Sequence, residues 1–554
     1  MAPTPSIEVL ETGSESVLNI DALLKRTAYP HAVSEIKLRE THISWVILTG
    51  EYAYKIKKRV TLEFLDTTTM ATRHFLCNEE LRLNKRLAPD LYLEVVPITE
   101  DDKGIKFGGG GTVIDYAVKM RQFDPSQELP ELLVRADVTA QDMTRLAERV
   151  AEFHRQAALA PDDARFDYVA QLRNCVLGNV ATLLTHLSSL KEFPAMSQLI
   201  DWTHDSLHDL HDRFRKRQSR GNIRECHGDL HAHNIVRWQG QLTPFDCLEF
   251  DSKLRWIDVM NDVAFLVMDL VGHDRKGLAY EFLSRYVEQT GDYAGIRLLP
   301  FYAVYRALVR AMVDAVSGEQ KPAERLELNG RLHGRISTAL DFMHPKRPSL
   351  IIMHGPSGSG KSWLSERLVP LVAAVRLRSD LERKRLADLE SATGADSRIS
   401  SDPYTAARNR QTYARLLECA ESCLAGGVSV IVDAAFLNAD ERERFRSLAE
   451  RCGASYVILS CIADKAEMAR RIAIRAQENA DPSEATVAVL ENQLQGFVPL
   501  RADELAHVIR VDTLQPNPQR AAFATLQARA VNLGVRQVSW PQRRDRVSPR
   551  ELSF

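Results

Sequence analysis

What this chain lacks narrows it before any motif is read. No stretch reaches the roughly 20 apolar residues that a membrane-spanning helix needs, so no membrane-embedded role is expected. The opening Met1-Ala-Pro-Thr-Pro-Ser-Ile-Glu8 has no charged leader ahead of an apolar run, and the expectation is a cytoplasmic protein. An excess of charge of either sign is missing too: 72 Lys+Arg stand against 74 Asp+Glu. No global field therefore points to nucleic acid or a membrane surface, which argues against a polynucleotide partner but leaves a local basic groove open. Cysteine is scarce, eight in 554 residues, and none of Cys77, Cys175, Cys226, Cys247, Cys419, Cys423, Cys452 and Cys461 forms a CxxC pair. Reduced, partly buried thiols fit this spread better than a disulfide frame, and helix packing accounts for Cys419 and Cys423 one turn apart. Repeats and low-complexity tracts are absent apart from residues 108–111, four glycines that read as a hairpin turn.

What is present is ordinary in bulk and specific in two places. A length of 554 residues suits two to four domains, and a 45% hydrophobic, 26% charged composition is that of a globular protein. Phe342-Met-His-Pro-Lys-Arg-Pro-Ser349 carries two prolines and precedes the apolar run Leu350-Ile-Ile-Met-His354, so a boundary is placed near residue 346. Before it, His42–Leu48 and Tyr52–Lys57 flank Thr49-Gly50-Glu51 as a hairpin, a charged helix follows near Arg73–Leu87, and Val113–Met120 reads as a strand. From Thr139 to about residue 340 the pattern is helical, with short strand-like pieces near 226–250. After the boundary, Ala374–Leu377, Val428–Val432 and Ser455–Ser460 alternate with helices, the signature of a parallel sheet. The expected layout is a first domain over 1–345 (a small β-rich lobe at about 35–125, a helical lobe at 126–345), a second over 346–535, and a tail over 536–554.

In the second domain Gly355-Pro356-Ser357-Gly358-Ser359-Gly360-Lys361-Ser362 follows a strand and opens a helix. Such a loop aims successive backbone N–H groups at phosphate oxygens, with the helix N-terminus behind them. Lys361 would reach the β- and γ-phosphates and Ser362 would ligate Mg²⁺. Asp433 closes the apolar strand Val428-Ser-Val-Ile-Val-Asp433, where a Mg²⁺- or water-orienting carboxylate belongs. Asp380 follows another strand, positioned either for an acceptor hydroxyl or as a helix N-cap. With Arg378–Arg385, Val432–Asn438 and Arg471-Ile-Ala-Ile-Arg475, these residues resemble the AAA_33-type P-loop kinases, a group similar to gluconate kinases, zeta toxins and polynucleotide 5′-kinases. The resemblance implies ATP with Mg²⁺, Asp380 near the acceptor, and Arg471 and Arg475 on a mobile lid. A solvated basic helix face is the plainer reading of the two arginines.

In the first domain Cys226-His-Gly-Asp-Leu-His-Ala-His-Asn-Ile-Val236 sets Asp229 five residues before Asn234, the spacing of the kinase catalytic loop, and Asp246 follows twelve residues later. The His-Gly-Asp form resembles aminoglycoside phosphotransferases and choline or fructosamine kinases over roughly residues 35–340. That resemblance implies an α+β two-lobed protein-kinase-like domain, and with the P-loop reading of the second part the expected fold is this domain ahead of an α/β P-loop NTPase domain with a parallel sheet. It gives Asp229 the acceptor proton and Asn234 and Asp246 the metal. It makes Lys55, in Ala53-Tyr-Lys55, the lysine at the α/β-phosphates, although Lys57 shares its face. It makes Glu80 that lysine's partner, with Glu79 as fallback. Surface salt bridges are the plainer reading of this pair. His227 then orients the loop, His231 is structural, and His233 stands where relatives have Gly. A rival reading gathers His227, His231, His233 and Asp229 around zinc. Asp258 and Asp262 read as capping or supporting groups. No acidic cluster suited to a polycationic acceptor is evident. The expectation is a bifunctional ATP-dependent phosphotransferase with two ATP·Mg²⁺ sites acting on hydroxyls of small polar metabolites. The alternatives are that one module is an ATP-binding switch, or that the P-loop domain is a nucleic-acid 5′-end kinase. Neither the acceptors nor the oligomeric state follow from these residues.

Overall fold

In the computed structural model the chain divides between His344 and Pro345 into two compact units. The structure describes residues 18–62, 65–161, 163, 166–187, 194–320, 325–393, 406–478 and 486–529. The expected leaderless opening at 1–8 and the tail at 536–554 lie outside the described residues. Among the described residues no helix is long and apolar enough to cross a membrane.

The first unit opens with a turn of helix, α1 (Ile20–Leu23), and an antiparallel sheet. Its strands are β1 (Lys37–Glu40), β2 (Ser44–Leu48) and β3 (Tyr52–Lys57), then, after the short ladder β4 (Thr61–Leu62) and β5 (Leu65–Asp66), β6 (Tyr92–Asp101), β7 (Gly104–Phe107) and β8 (Thr112–Arg121). The six-stranded sheet runs in the order β1-β2-β3-β8-β6-β7. One face packs Ile47, Tyr54, Ile56, Ile98 and Phe107; helix α2 (Met70–Asn84) supplies Cys77 to a second cluster on Ala53, Tyr92 and Val118. The glycine run 108–111 is not the hairpin turn read in the sequence. β7 and β8 both pair with β6, so these residues carry the chain across the end of that strand. A Cβ on Gly111 would stand 2.3 Å from the Glu100 carbonyl oxygen, so the glycine answers a close crossing rather than a tight turn.

The rest of the unit is helical: α3 (Leu129–Val134), α4 (Ala140–Gln156), α5 (Tyr168–His186), α6 (Met196–Asp209), α7 (His211–Ser219), α8 (Val259–Gly272), α9 (Lys276–Thr290), α10 (Leu299–Gln320) and α11 (Arg325–Met343). Thr139 and Asp142 form a capping box that starts α4. Helix α8 is buried from Val259 to Leu270, which makes it the central post of the lobe. Two short ladders, β9 (Ile223–Glu225) with β12 (Trp256–Asp258) and β10 (Ile235–Trp238) with β11 (Gln241–Pro244), frame the loop 226–234 against that post.

The second unit is built on a five-stranded, all-parallel sheet: β13 (Ser349–His354), β14 (Ala374–Arg378), β15 (Ser429–Asp433), β16 (Ser455–Ile462) and β17 (Val508–Asp512), in the order β14-β15-β13-β16-β17. Six consecutive buried residues in β13 reflect a strand covered on both faces. Its helices are α12 (Lys361–Val372), α13 (Ser379–Thr393), α14 (Ala406–Ala425), α15 (Ala439–Arg451), α16 (Lys465–Glu478), α17 (Val487–Gln495) and α18 (Pro518–Arg529). The strand order turns in opposite directions on either side of β13, and such a switch point opens a crevice at the carboxyl ends of the strands.

Candidate functional site

In the first unit a charge cluster joins the sheet to the loop ladders. Lys55 and Lys57, two residues apart on β3, project to one side. Lys55 Nζ lies 2.8 Å from Glu80 Oε1 and 2.6 Å from Asp246 Oδ1. Lys57 Nζ lies 2.5 Å from Glu80 Oε2 and also pairs with Glu249. Glu80, 0% exposed, thus bridges both lysines, and the surface salt-bridge reading fails because Lys57 and Glu249 are buried as well. Burial would raise the Glu80 carboxyl, but Lys55 and Lys57 outweigh it and hold Glu80 below the usual range. Burial dominates at Glu249 and pushes that carboxyl up. Glu79 turns elsewhere, to Arg82 and Arg255. Asp246 sits at φ +61°, a left-handed conformation that a non-glycine residue adopts at a cost of about 1–3 kcal/mol and that clusters at functional sites.

The loop after β9 is held from below. The Asp262 carboxylate accepts the backbone N–H groups of His227 (2.8 Å) and Gly228 (2.9 Å) and contacts His154 Nε2 at 3.2 Å. Gly228, at φ +84°, would set a Cβ 2.9 Å from the Leu254 carbonyl. His227 Nε2 faces the Phe245 carbonyl at 3.0 Å, so that nitrogen carries the proton and Nδ1 accepts from Asp229 N at 3.3 Å. Burial lowers the His227 pKa, against the nearby Asp262 and Asp229 carboxylates. Asn234 Nδ2 donates to Asp229 Oδ2 at 2.8 Å and to the Asp229 carbonyl at 3.0 Å. Burial pushes the Asp229 carboxyl up, but His231 and Arg310 outweigh it and hold the group well below the usual range. Asp258 caps α8 and binds Arg217.

The zinc reading does not survive this geometry. His227 is committed to Phe245, and among the described residues the group close enough to share an ion is His154, Cys226 and Asp262, not the histidines of the loop. Sequence reading also missed Lys57 and Glu249 as a pair, Asp269 and Arg310. Asp269, on α8, accepts Ala232 N at 2.9 Å and Arg335 Nη1 at 2.8 Å, steadying the loop from the same helix as Asp262.

In the second unit the turn after β13 carries Gly355, Gly358 and Gly360 at φ +139°, +81° and +91°. A Cβ at Gly358 would meet the Met468 carbonyl oxygen at 2.5 Å. The loop therefore encloses a cradle that only glycine leaves open, and α12 starts at Lys361 with its N-terminus facing it. The Lys361 ammonium folds back to the Pro356 carbonyl at 2.8 Å, and burial lowers its pKa. Ser357 N donates to Gln493 Oε1 at 2.8 Å. Asp433 ends β15 and accepts Ser365 Oγ at 3.0 Å. Asp380 lies inside the first turn of α13, not at its N-cap, and pairs with Arg383 at 2.9 Å. Arg471 is no freely solvated surface group: Glu467 (2.8 Å), Thr513 Oγ1 (3.0 Å) and the Gly358 carbonyl (3.3 Å) hold it. Ser357, Gly358, Gly360, Lys361, Ser362, Asp380, Asp433, Arg471 and Arg475 line one cavity of about 700 Å³, together with Trp363, Arg410 and Tyr413. Gly355, Pro356 and Ser359 are not part of that lining.

The cradle, with Asp380 and Asp433 lining the same cavity, fits a nucleotide phosphate chain with a divalent cation in the second unit, and Asp246 and Asn234 offer oxygen donors near Lys55 in the first. Comparison with known proteins gives three kinds of likeness. Residues 350–500 match the family model AAA_33, described as an AAA domain. Over 467 residues the chain is 30% identical to an uncharacterized protein of Mycobacterium tuberculosis (strain H37Rv) and equally to one of Mycobacterium bovis, covering 84% of this chain and 92% of each relative. Among solved structures, a gluconokinase from Sinorhizobium meliloti aligns over 33% of this chain and 96% of its own, with 18% identity and a TM-score of 0.25. A choline kinase from Cryptosporidium parvum aligns over 58% and 94%, with 11% identity and a TM-score of 0.36.

Proposed function

Given that the chain belongs to the same family as these mycobacterial proteins, we propose that it is a bifunctional ATP-dependent phosphotransferase, with one ATP·Mg²⁺ site in each unit and hydroxyl groups of small polar molecules as acceptors. The observation that carries the reading is that each unit gathers, from separated stretches of sequence, a lysine, a polar or acidic pair suited to a divalent cation, and a further, partly exposed carboxylate. In the first unit these are Lys55, Asn234 with Asp246, and Asp229. In the second they are Lys361, Ser362 with Asp433, and Asp380.

When bound, ATP with Mg²⁺ supplies the phosphoryl group; the chain supplies position and charge. Lys55, steered by Glu80, neutralises phosphate oxygens, and the Asp229 carboxylate, kept ionised, accepts the acceptor hydroxyl's hydrogen bond and then its proton. Asn234 fixes the rotamer of Asp229 through the 2.8 Å bond. In the second unit the glycine turn presents N–H donors, Lys361 swings from Pro356 toward phosphate, Asp380 orients the acceptor, and Arg471 and Arg475 neutralise equatorial charge.

The test is phosphoryl transfer from labelled ATP to a mixed pool of polar metabolites by the full chain and by Asp229→Asn and Asp380→Asn. Each variant is expected to retain ATP binding and to lose a separate subset of labelled products. A wild-type protein that binds ATP at neither unit, or variants that lose no product, would sink the reading.

A further inference from the structure

The neighbourhood of Asp229 holds a cation that, among the described residues, makes no direct ion pair with a carboxylate. Arg310, on α10, directs Nη1 to His231 Nε2 at 3.2 Å. The same Nε2 stands 3.3 Å from Asp229 Oδ2. A guanidinium only donates and an ionised carboxylate only accepts, so one imidazole nitrogen cannot satisfy both. With a proton on Nε2, His231 donates to Asp229 and turns an N–H against Arg310. Without it, His231 accepts from Arg310 and opposes its lone pair to Asp229. His231 Nδ1 is buried with no partner, and so is Arg310 Nε. His231 itself is only 4% exposed.

The neighbouring charges do not resolve this. Arg335 is taken by Asp269 at 2.8 Å, and Arg331 by Glu327 at 2.7 Å and Asp314 at 3.4 Å. Arg310 has no carboxylate within ion-pair distance among the described residues.

Resting on the kinase reading of this unit, we propose that the acceptor of the first site is an alcohol bearing an anionic group, a carboxylate or a phosphate, which Arg310 binds beside Asp229. The anion takes the guanidinium, His231 Nε2–H then donates to Asp229 alone, and both ends of the conflict are relieved together. The hydroxyl oxygen attacks the γ-phosphorus of ATP, the bond from that phosphorus to the β,γ-bridging oxygen breaks to leave ADP, and the hydroxyl proton passes to Asp229. A cationic acceptor would instead have to displace Arg310 from the side of the carboxylate it needs.

The experiment uses the full chain and counts only turnover that Asp229→Asn abolishes. Matched probes are glycerol, glycerate and glycerol phosphate; glucose and gluconate; and choline and an aminoglycoside as cations. Turnover confined to the anionic members is expected, with glycerate against glycerol phosphate separating carboxylate from phosphate. Arg310→Gln should raise KM for the anionic acceptor about ten- to a hundredfold, the loss of one charge-assisted contact, leave KM for ATP unchanged, and be partly rescued by Arg310→Lys. Equal use of neutral or cationic members would overturn the proposal. So would a fall in kcat with unchanged acceptor KM in Arg310→Gln, which would place the guanidinium on the phosphoryl group. A lack of turnover on every anionic probe, while ATP binds at two sites and Lys55→Met removes one of them, refutes the acceptor class and spares the kinase reading. Absence of the ATP site that Lys55→Met removes refutes both.

Discussion

Replacing Lys57 by Met tests whether the buried cluster of the first unit is a single electrostatic object. Lys57, 2% exposed, is the ammonium that touches both Glu80 and Glu249, which are 0% and 6% exposed. Removing it leaves Glu80, Glu249 and Asp246 facing Lys55 alone. Breaking a buried pair by deleting one partner costs about 3–5 kcal/mol, because the remaining charge keeps its desolvation penalty. Glu249 has a way out: burial already pushes its carboxyl up, so it can take a proton and remove one charge. The expected loss is therefore at the lower end, about 3 kcal/mol. The double variant Lys57→Met/Glu249→Gln deletes one charge of each sign and should recover about 2 kcal/mol, a coupling typical of groups in direct contact. A chain of two units has no single unfolding free energy, so the assay is hydrogen exchange on peptides covering Tyr52–Lys57 and Met70–Asn84, which reads local opening. A cost below about 1 kcal/mol for the single variant, or a double variant no better than the single, would refute the reasoning.

Three further outcomes follow from the same geometry. Gly358→Ala must place a methyl 2.5 Å from the Met468 carbonyl at φ +81°, so the turn shifts and affinity of the second unit for an ATP analogue, read by calorimetry, should fall more than about a hundredfold. Lys361→Met should act in opposite directions on stability and binding: the partly buried ammonium, whose pKa burial lowers, is lost, so the melting midpoint of the second unit rises by about 2–4 °C while nucleotide binding at that unit disappears. An unchanged or lower midpoint counts against the buried-charge argument. Asp269 is pushed up by burial but held at about 2 by His231, Arg335 and other cations, below its ordinary 3.8. A depressed carboxyl stabilises above its unfolded pKa and loses that contribution as pH falls through the folded one. Exchange protection in the loop 226–235 should therefore weaken by roughly 2 kcal/mol between about pH 4 and pH 2, and Asp269→Asn should flatten that slope.

The local parts of both sites were legible in the sequence. A glycine turn between an apolar strand and a helix can be read directly, since three of its glycines must take positive φ. The spacing of Asp229 and Asn234 is also local, and a 3-10 turn over Ala232–Asn234 brings the amide back onto the carboxylate. The strand β17 was missed because Val508-Ile-Arg-Val-Asp512 is a short apolar run that periodicity cannot tell from a helix segment. Residues 108–111 were misread because glycine signals permission for a close approach without saying what approaches.

What stayed hidden were the supporting contacts made across long stretches of chain. Lys57 and Glu249 are 192 residues apart, Arg310 and His231 79, and nothing in their own surroundings marks them. Lys57 reads as one of several strand lysines, and Arg310 as one of many helical arginines. Their meaning comes from helix α8, whose uniform burial seats Asp262 and Asp269 two turns apart beneath the loop. Those two carboxylates receive three backbone N–H groups, of His227, Gly228 and Ala232, and so fix where Asp229 and His231 point. Only then does Arg310 become conspicuous, because a loop pinned this firmly cannot turn His231 away from either the guanidinium or the carboxylate. The sequence motif sets the chemistry available to the first unit; the rigidity of its support leaves Arg310 as the group on which the choice of acceptor turns.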